Sequence, residues 1–149
     1  MLDDKRIKEA KSNMNQYLAD NLISKQQFKK IIFDTYIRNH KESLDLTEYV
    51  YANNRSNLWV IVISYYSMFY IANAVIYKLG YKIGDKIAHK VTADALITLV
   101  RDKLKSSLLE DYEKAKDDAL EIAAIKADNL IDSFDKELTK RAIFQYETT

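Results

Sequence analysis

Apolar residues recur every three or four positions along most of the chain, which is the spacing of amphipathic helices. The first stripe predicts a helix over residues 3–20 and consists of Ile7, Ala10, Met14, Tyr17 and Leu18. A second helix is expected after Ser24, because Ser24 and Gln27 have the spacing of a capping box and an apolar stripe follows from Phe28 to Thr35. Residues 39–54 are polar and are predicted to be a connector with room for a short helix at residues 44–51.

Residues 56–77 contain no charged side chain, and this length approaches the roughly 20 residues that span a bilayer. Hydroxyl and amide groups nevertheless occupy the middle of the segment, where hydrocarbon would leave them without hydrogen bonds. They belong to Ser64, Tyr65, Tyr66, Ser67, Tyr70 and Asn73. We therefore expect a long central helix buried by the amphipathic helices around it, and no membrane span.

The second half of the chain predicts two more helical regions. Gly80 suits the position just after a helix end, and residues 81–85, with Gly84, are expected to form a loop. A helix is predicted from Ile87 to a break at residues 106–107, and a last helical region from about residue 109 to 144. The chain is thus predicted to be all-α, with residues 1–149 as one domain.

Composition supports helices and narrows the chemistry. The chain has no Pro, two Gly and no Cys, which leaves few turn residues for a β-fold and excludes disulfides. Its 23 basic and 22 acidic residues give a net charge of +1, so a nucleic-acid site would have to be local. The lysines near residues 5–11 and 25–30 are interpreted as solvated helix faces. The charged N-terminus lacks an apolar leader, so a cytoplasmic location is expected.

The sequence contains no recognisable metal or cofactor motif. Its two histidines, His40 and His89, have no His or Glu partner at helical metal-site spacing. No phosphate-binding glycine loop or dinucleotide fingerprint is present, and the carboxylates of the last helical region alternate with lysines as on an exposed face. We therefore expect neither a metal nor a cofactor.

The segment from Ser64 to Gly80, followed nine residues later by His89, resembles the HEPN family (higher eukaryote and prokaryote nucleotide-binding) in its archaeal and bacterial branch. There a helix reading roughly S-Y-Y-A-M-F-x-A-A-x-A-L-L ends in K-G, and a short loop leads to a His that opens the next helix. The similar positions are Ser64, Tyr65, Tyr66, Met68, Phe69, Ala72, Ala74, Gly80 and His89. Residues 141–146 (R-A-I-F-Q-Y) are similar to the family's terminal R-x-x-A-D-Y element. The resemblance covers residues 53–99 and this hexapeptide.

This resemblance implies an up-and-down bundle of four to five helices, in agreement with the apolar pattern around one long buried central helix. It also implies a homodimer with a cleft between protomers. Many members are ribonuclease toxins or partners of small nucleotidyltransferases, and their catalytic mark is an Arg followed by a His after four to six residues. No Arg of this chain has such a His, and Tyr146 stands after Arg141 instead. A phenol with a pKa of about 10 is a poorer base at neutral pH than an imidazole.

We therefore expect a HEPN-like homodimeric module that binds a nucleotide, RNA, or a nucleotidyltransferase or toxin–antitoxin partner, without strong nuclease activity. Two alternatives stay open: a ribonuclease toxin with a divergent site, using Arg141 with Tyr146 or His89, and a plain helical interaction domain. Each candidate also has a structural interpretation, because tyrosines pack in cores, a buried His is hydrogen-bonded, and a C-terminal Arg suits the helix dipole. The candidate binding residues are Arg141, Tyr146, His89, Tyr65, Tyr66 and Ser64.

Overall fold

The computed structural model describes residues 2–122 and residue 136. Within this part the chain is an all-α bundle with one short two-stranded sheet, which confirms the predicted fold class. The elements are α1 (Asp4–Ala19), β1 (Ile23–Lys25), α2 (Lys30–Ala52), α3 (Asn57–Lys78), β2 (Tyr81–Ile83), α4 (Ala88–Ala95) and α5 (Ser106–Ile122). The predicted last helical region begins as α5, and its part after residue 122 lies outside the described residues. One domain over residues 1–149 stays a prediction.

Local capping groups fix where the helices begin and end. The Asp3 carboxylate accepts a hydrogen bond of 2.8 Å from the backbone N–H of Arg6, which caps α1. Ser56 caps α3 in the same way through its hydroxyl. The residues after the ends of α1, α2 and α3 have left-handed backbones, a conformation that Asn and Gly adopt at low cost. They are Asn21 (φ 57°), Asn54 (φ 49°) and Gly80 (φ 100°). The predicted role of Gly80 is confirmed.

The predictions for α2 were wrong at both of its ends. Ser24 caps no helix, because it lies in β1 and its hydroxyl accepts a hydrogen bond from the Gln26 side chain. The predicted connector at residues 39–54 is instead helical as far as residue 52. Its polar residues lie on the solvent side, while Thr47 is buried and His40 contacts Ser67 of α3. The short helix allowed for at residues 44–51 is confirmed as part of α2, whereas the connector expected before it at residues 39–43 was wrong.

The central helix is α3, which confirms that residues 56–77 lie in one continuous helix capped by Ser56. The expected near-complete burial was wrong, because eight of its 22 residues are buried. Its polar side chains bond to other parts of the bundle: Asn73 Nδ2 donates to Thr92 Oγ1 at 3.2 Å, and the Tyr77 hydroxyl donates to the Gln27 carbonyl at 3.2 Å. Its buried residues are Val62, Tyr65, Ser67, Ala72, Asn73, Ala74, Ile76 and Tyr77. The first turn is less covered, since Leu58 and Trp59 are 38% and 47% exposed.

By length and composition α3 is also the one described helix that would suit a membrane span. Of its most apolar 18-residue window, 39% is buried inside the bundle. The core helix of a water-soluble protein has the same length and composition, so this finding leaves the expected absence of a membrane span, and the expected cytoplasmic location, as predictions.

A short sheet replaces part of the loop predicted at residues 81–85. Tyr81–Ile83 pairs antiparallel with Ile23–Lys25, and Ile23 and Ile83 lie opposite each other and are buried. Three residues are too few for an alternating pattern to stand out in the sequence. The sheet ties the chain before α2 to the end of α3.

The helix predicted from residue 87 changes its winding partway. After α4 the chain forms a π-helical turn over Leu96–Val100 and a 3₁₀ turn over Arg101–Lys103, and α5 begins at the predicted break. Ile87 precedes α4 with φ 44°, a left-handed backbone that is rare for a β-branched residue. These turns keep Leu96, Ile97 and Val100 in the core.

Candidate functional site

His89 lies in the first turn of α4 and packs against the middle of α3. The turn at Gly80, strand β2 and the loop after it lead the chain back along α3 and place the imidazole on that helix. Its ring stacks on Phe69 with centroids 4.1 Å apart, and Nδ1 lies 2.5 Å from the Tyr65 hydroxyl. The residue is 2% exposed. His89 is therefore a core residue.

Aromatic rings from two helices surround this histidine. We call His89, Tyr65, Tyr66, Phe69 and Tyr112 the His89 aromatic cluster. Tyr112 comes from α5. Its ring centroid lies 5.8 Å from the ring centroid of Tyr65, and the two hydroxyl oxygens are 3.4 Å apart. Tyr66 meets the imidazole edge-on at 5.8 Å and is only half-buried. The cluster joins α3, α4 and α5 through ring packing and hydrogen bonds.

The electrostatics of the cluster keep His89 uncharged. Burial, and secondarily the positive charge of Lys116, lower the pKa of His89 from 6.5 to about 3. The imidazole is neutral at pH 7 and offers no positive charge to a phosphate. A pKa of about 3 also makes His89 a poor general base at pH 7, because efficient proton transfer needs a pKa near the working pH. In this environment His89 acts by packing and hydrogen bonding.

The structure brings together some of the predicted site residues. Tyr65 and His89 are in contact, and Tyr66 lies at the edge of the same cluster. The Ser64 hydroxyl donates to the Val60 carbonyl of its own helix at 2.6 Å. Arg141 and Tyr146 lie outside the described residues. The predicted binding roles of all six stay predictions.

Sequence reasoning missed a buried ionic network centred on Asp94 of α4, which is 1% exposed. Arg6 Nη1 donates to Asp94 Oδ1 at 2.7 Å, and Arg6 Nη2 donates to Glu113 at 3.0 Å. The other Asp94 oxygen accepts from Asn13 Nδ2 at 3.1 Å and from the Tyr17 hydroxyl at 2.8 Å. We call these five residues the Asp94 network. It links α1, α4 and α5.

The Asp94 network is a structural clamp. Burial lowers the pKa of Arg6, but its hydrogen bonds to the two carboxylates outweigh burial and raise that pKa overall, so the guanidinium stays charged. Both Asp94 oxygens already accept hydrogen bonds, which leaves little capacity for a ligand. The sequence did contain a sign of this network: Arg6 and Asn13 have the helical spacing that places them on the same face of α1 as the core residue Ala10, so polar groups were to be expected on the buried face.

Within residues 2–122 and residue 136, no group of three or more His, Asp or Glu side chains is placed to hold a metal ion. Comparison of the chain with protein-family models, with curated proteins and with solved structures found no match in any of the three. The resemblance to the HEPN family therefore depends on the residues quoted above and stays a prediction.

Proposed function

We propose that this chain is a HEPN-type helical module that works by binding RNA or a nucleotide and has no strong nuclease activity. The observation that carries the proposal is the state of His89, which is buried and neutral. A ribonuclease base has to reach the ribose 2′-hydroxyl and accept its proton near neutral pH. His89 meets neither requirement in this fold.

The second histidine also supports binding over catalysis. His40 lies in α2 with Nδ1 2.9 Å from the backbone carbonyl oxygen of Ser67, and the Ser67 hydroxyl donates to the His40 carbonyl at 3.2 Å. This pair joins α2 to α3. Both imidazoles of the chain thus connect helices.

The positions that carry the resemblance form one structural unit, which is a second support. The similar segment is α3, Gly80 ends it with a positive φ, and His89 opens α4 against Tyr65 and Phe69. The order of helix, turn and histidine is the one that the resemblance implies.

The test is a paired assay of cleavage and binding on labelled single-stranded RNA. Wild type is compared with Arg141→Ala, Tyr146→Phe and His89→Gln. We expect wild-type cleavage to equal that of Arg141→Ala, and we expect RNA binding to be measurable and weakened by Arg141→Ala. Strong cleavage that Arg141→Ala or His89→Gln abolishes would establish the divergent ribonuclease instead.

The proposal includes a homodimer, as the resemblance implies. Light scattering at micromolar concentration is expected to give twice the 17.4 kDa mass of the chain. A monomer would remove the shared cleft from the proposal but would leave RNA binding open.

A protein-interaction module is the second candidate function, and individually exposed aromatic side chains favour it. Where α2 meets α3, Tyr49, Tyr51 and Trp59 are 65%, 70% and 47% exposed. Tyr and Trp are enriched in protein interfaces and supply much of their binding energy. The partner would be a second copy or a small nucleotidyltransferase. If Tyr51→Ser with Trp59→Ser dissociates a dimer while RNA binding is absent in every form, this candidate replaces the first.

A further inference from the structure

Lysines and aromatic rings are interleaved at the end of the bundle where the sheet lies next to the start of α2 and the end of α3. We call this surface the lysine–aromatic end. Its members are Lys25, Phe28, Lys29, Lys78, Tyr81 and Lys82. Two independent sets of contacts hold them together.

The strand pairing forms the first set. In the register of β1 and β2, Lys25 lies opposite Tyr81, and Ser24 lies opposite Lys82. The ammonium of Lys25 is 5.9 Å from the centroid of the Tyr81 ring, within the range of a cation–π contact. Lys25 and Tyr81, more than 50 positions apart in sequence, thus share one face of the sheet, while Lys82 lies on its other face.

The buried hydroxyl of Tyr77 forms the second set. It accepts a hydrogen bond from the Lys29 backbone N–H at 2.8 Å and donates to the Gln27 carbonyl at 3.2 Å, which fixes the segment before α2 over the end of α3. Phe28 is held 5.6 Å from the Tyr77 ring and is 42% exposed. Lys78 reaches over Phe28 at 4.7 Å.

Positive charge is concentrated at this end. Residues 23–34 and 77–86 contain six lysines and two aspartates, a net charge of +4, whereas the chain as a whole carries only +1. The rest of the sequence is therefore negative by 3. Lys30 is paired with Asp34. Lys25, Lys29, Lys78 and Lys82 make no ion pair within 4.0 Å in the described part of the chain.

We propose that the lysine–aromatic end binds single-stranded nucleic acid. The lysine ammonium groups contact phosphates, and the ring of Phe28, which is 42% exposed, stacks on a base. An acidic peptide would use the lysines but not the rings, so the interleaving favours a nucleic acid. Single strands are favoured over duplexes because only unpaired bases offer a free face for stacking.

This surface is separate from the His89 aromatic cluster, and the inference deepens the proposed function, on which it rests, by naming a surface for the binding of RNA. Tyr77 and Tyr65 are twelve residues apart on α3, about 18 Å along the helix axis. None of the six residues is among the positions that resemble the HEPN family. The position of the surface therefore does not depend on that resemblance.

The experiment measures fluorescence anisotropy of a labelled oligouridylate of about 12 nucleotides. The full chain is compared with Lys25→Glu/Lys29→Glu, two exposed positions outside the regular helices. The matched control is Lys8→Glu/Lys11→Glu, which makes the same charge change on the exposed face of α1. Thermal melting first checks that all forms are folded.

We expect the Lys25/Lys29 pair of substitutions to weaken binding about 10-fold or more at roughly 50 mM NaCl, and the control pair about 2-fold at most. The slope of log affinity against log salt should fall by about 1.4, because each lost phosphate contact contributes about 0.7 for single strands. Phe28→Leu keeps the apolar bulk and removes the ring, and it should weaken binding about 5-fold or more.

Four results would overturn the inference. They are no binding by wild type, equal weakening by the control pair, equal affinity for a duplex, and competition by polyglutamate as effective as by RNA. Loss of binding in Arg141→Ala with none in Lys25→Glu/Lys29→Glu would reject this surface and leave the proposed function intact. The reverse result would support this surface and reject the predicted role of Arg141.

Discussion

The buried state of His89 makes the stability of the protein depend on pH. Its pKa is about 3 in the folded chain and 6.5 in an unfolded one, so the unfolded state binds the proton more tightly between these values. The stability that depends on a neutral His89 is therefore complete above pH 6.5. It is lost progressively as the pH falls towards 3.

The size of this effect follows from the same two pKa values. Each pH unit inside the window costs about 1.4 kcal/mol. Integrated from pH 7 to pH 5, the contribution of His89 to the free energy of unfolding falls by about 2 kcal/mol, since only the upper part of the window is crossed. Carboxylates add their own pH dependence, so a variant without the imidazole is needed to isolate this contribution.

Urea denaturation at pH 7 and pH 5 tests the reasoning with wild type and His89→Gln. Wild type should lose about 2 kcal/mol more than the variant between the two pH values. His40→Gln is the control and should keep the His89 contribution. If His89→Gln does not fold, the pKa of His89 is measured directly in the wild type by NMR titration of its imidazole signals. The spectrum of His40→Gln identifies which signals belong to His89. An His89 resonance that titrates near pH 6.5 would refute the buried, neutral state.

Three further outcomes are expected. Asp94→Ala leaves the Arg6 guanidinium without its shortest ion pair, and because Arg6 is partly exposed we expect a loss near the lower limit for buried pairs, about 3 kcal/mol; an unchanged thermal melt would show that the Asp94 network contributes no stability. Tyr77→Phe removes the hydrogen bonds to Lys29 and Gln27 and should cost about 1–2 kcal/mol in urea denaturation, whereas no loss would show that the hydroxyl is dispensable. Because the polar groups of α3 bond inside the bundle, the expressed protein should be recovered without detergent, and extraction only with detergent would indicate a membrane span.

The central helix could be predicted because every signal in its sequence agreed. Ser56 caps it, no charge interrupts it, and Gly80 ends it with the left-handed backbone that the position requires. The bounds of α2 could not be predicted, because its second half is held by tertiary interactions, such as the contact of His40 with Ser67 of α3, and carries no periodic apolar stripe. A helix boundary can be predicted from the local sequence only where local interactions, such as a cap, determine it.

The candidate site was predicted in part for the same reason. Tyr65 and His89 were both candidate binding residues by the family resemblance, but their contact with each other was not predicted. The neutral state of His89 depends on burial and on Lys116 of another helix, which no local pattern contains. The proximity of Lys25 and Tyr81 depends on three paired residues of a sheet. Interactions between distant segments therefore account for most of what the sequence did not predict.

The uneven charge of the lysine–aromatic end has a consequence for handling the protein. Its sequence pI is about 7.8, so a buffer above that pH gives the whole molecule a negative charge. This end keeps a local surplus of four positive charges, while the rest of the chain is negative by three. The protein should then be retained on a cation-exchange resin above its pI, oriented with the sheet towards the matrix, and should elute as salt screens the contact.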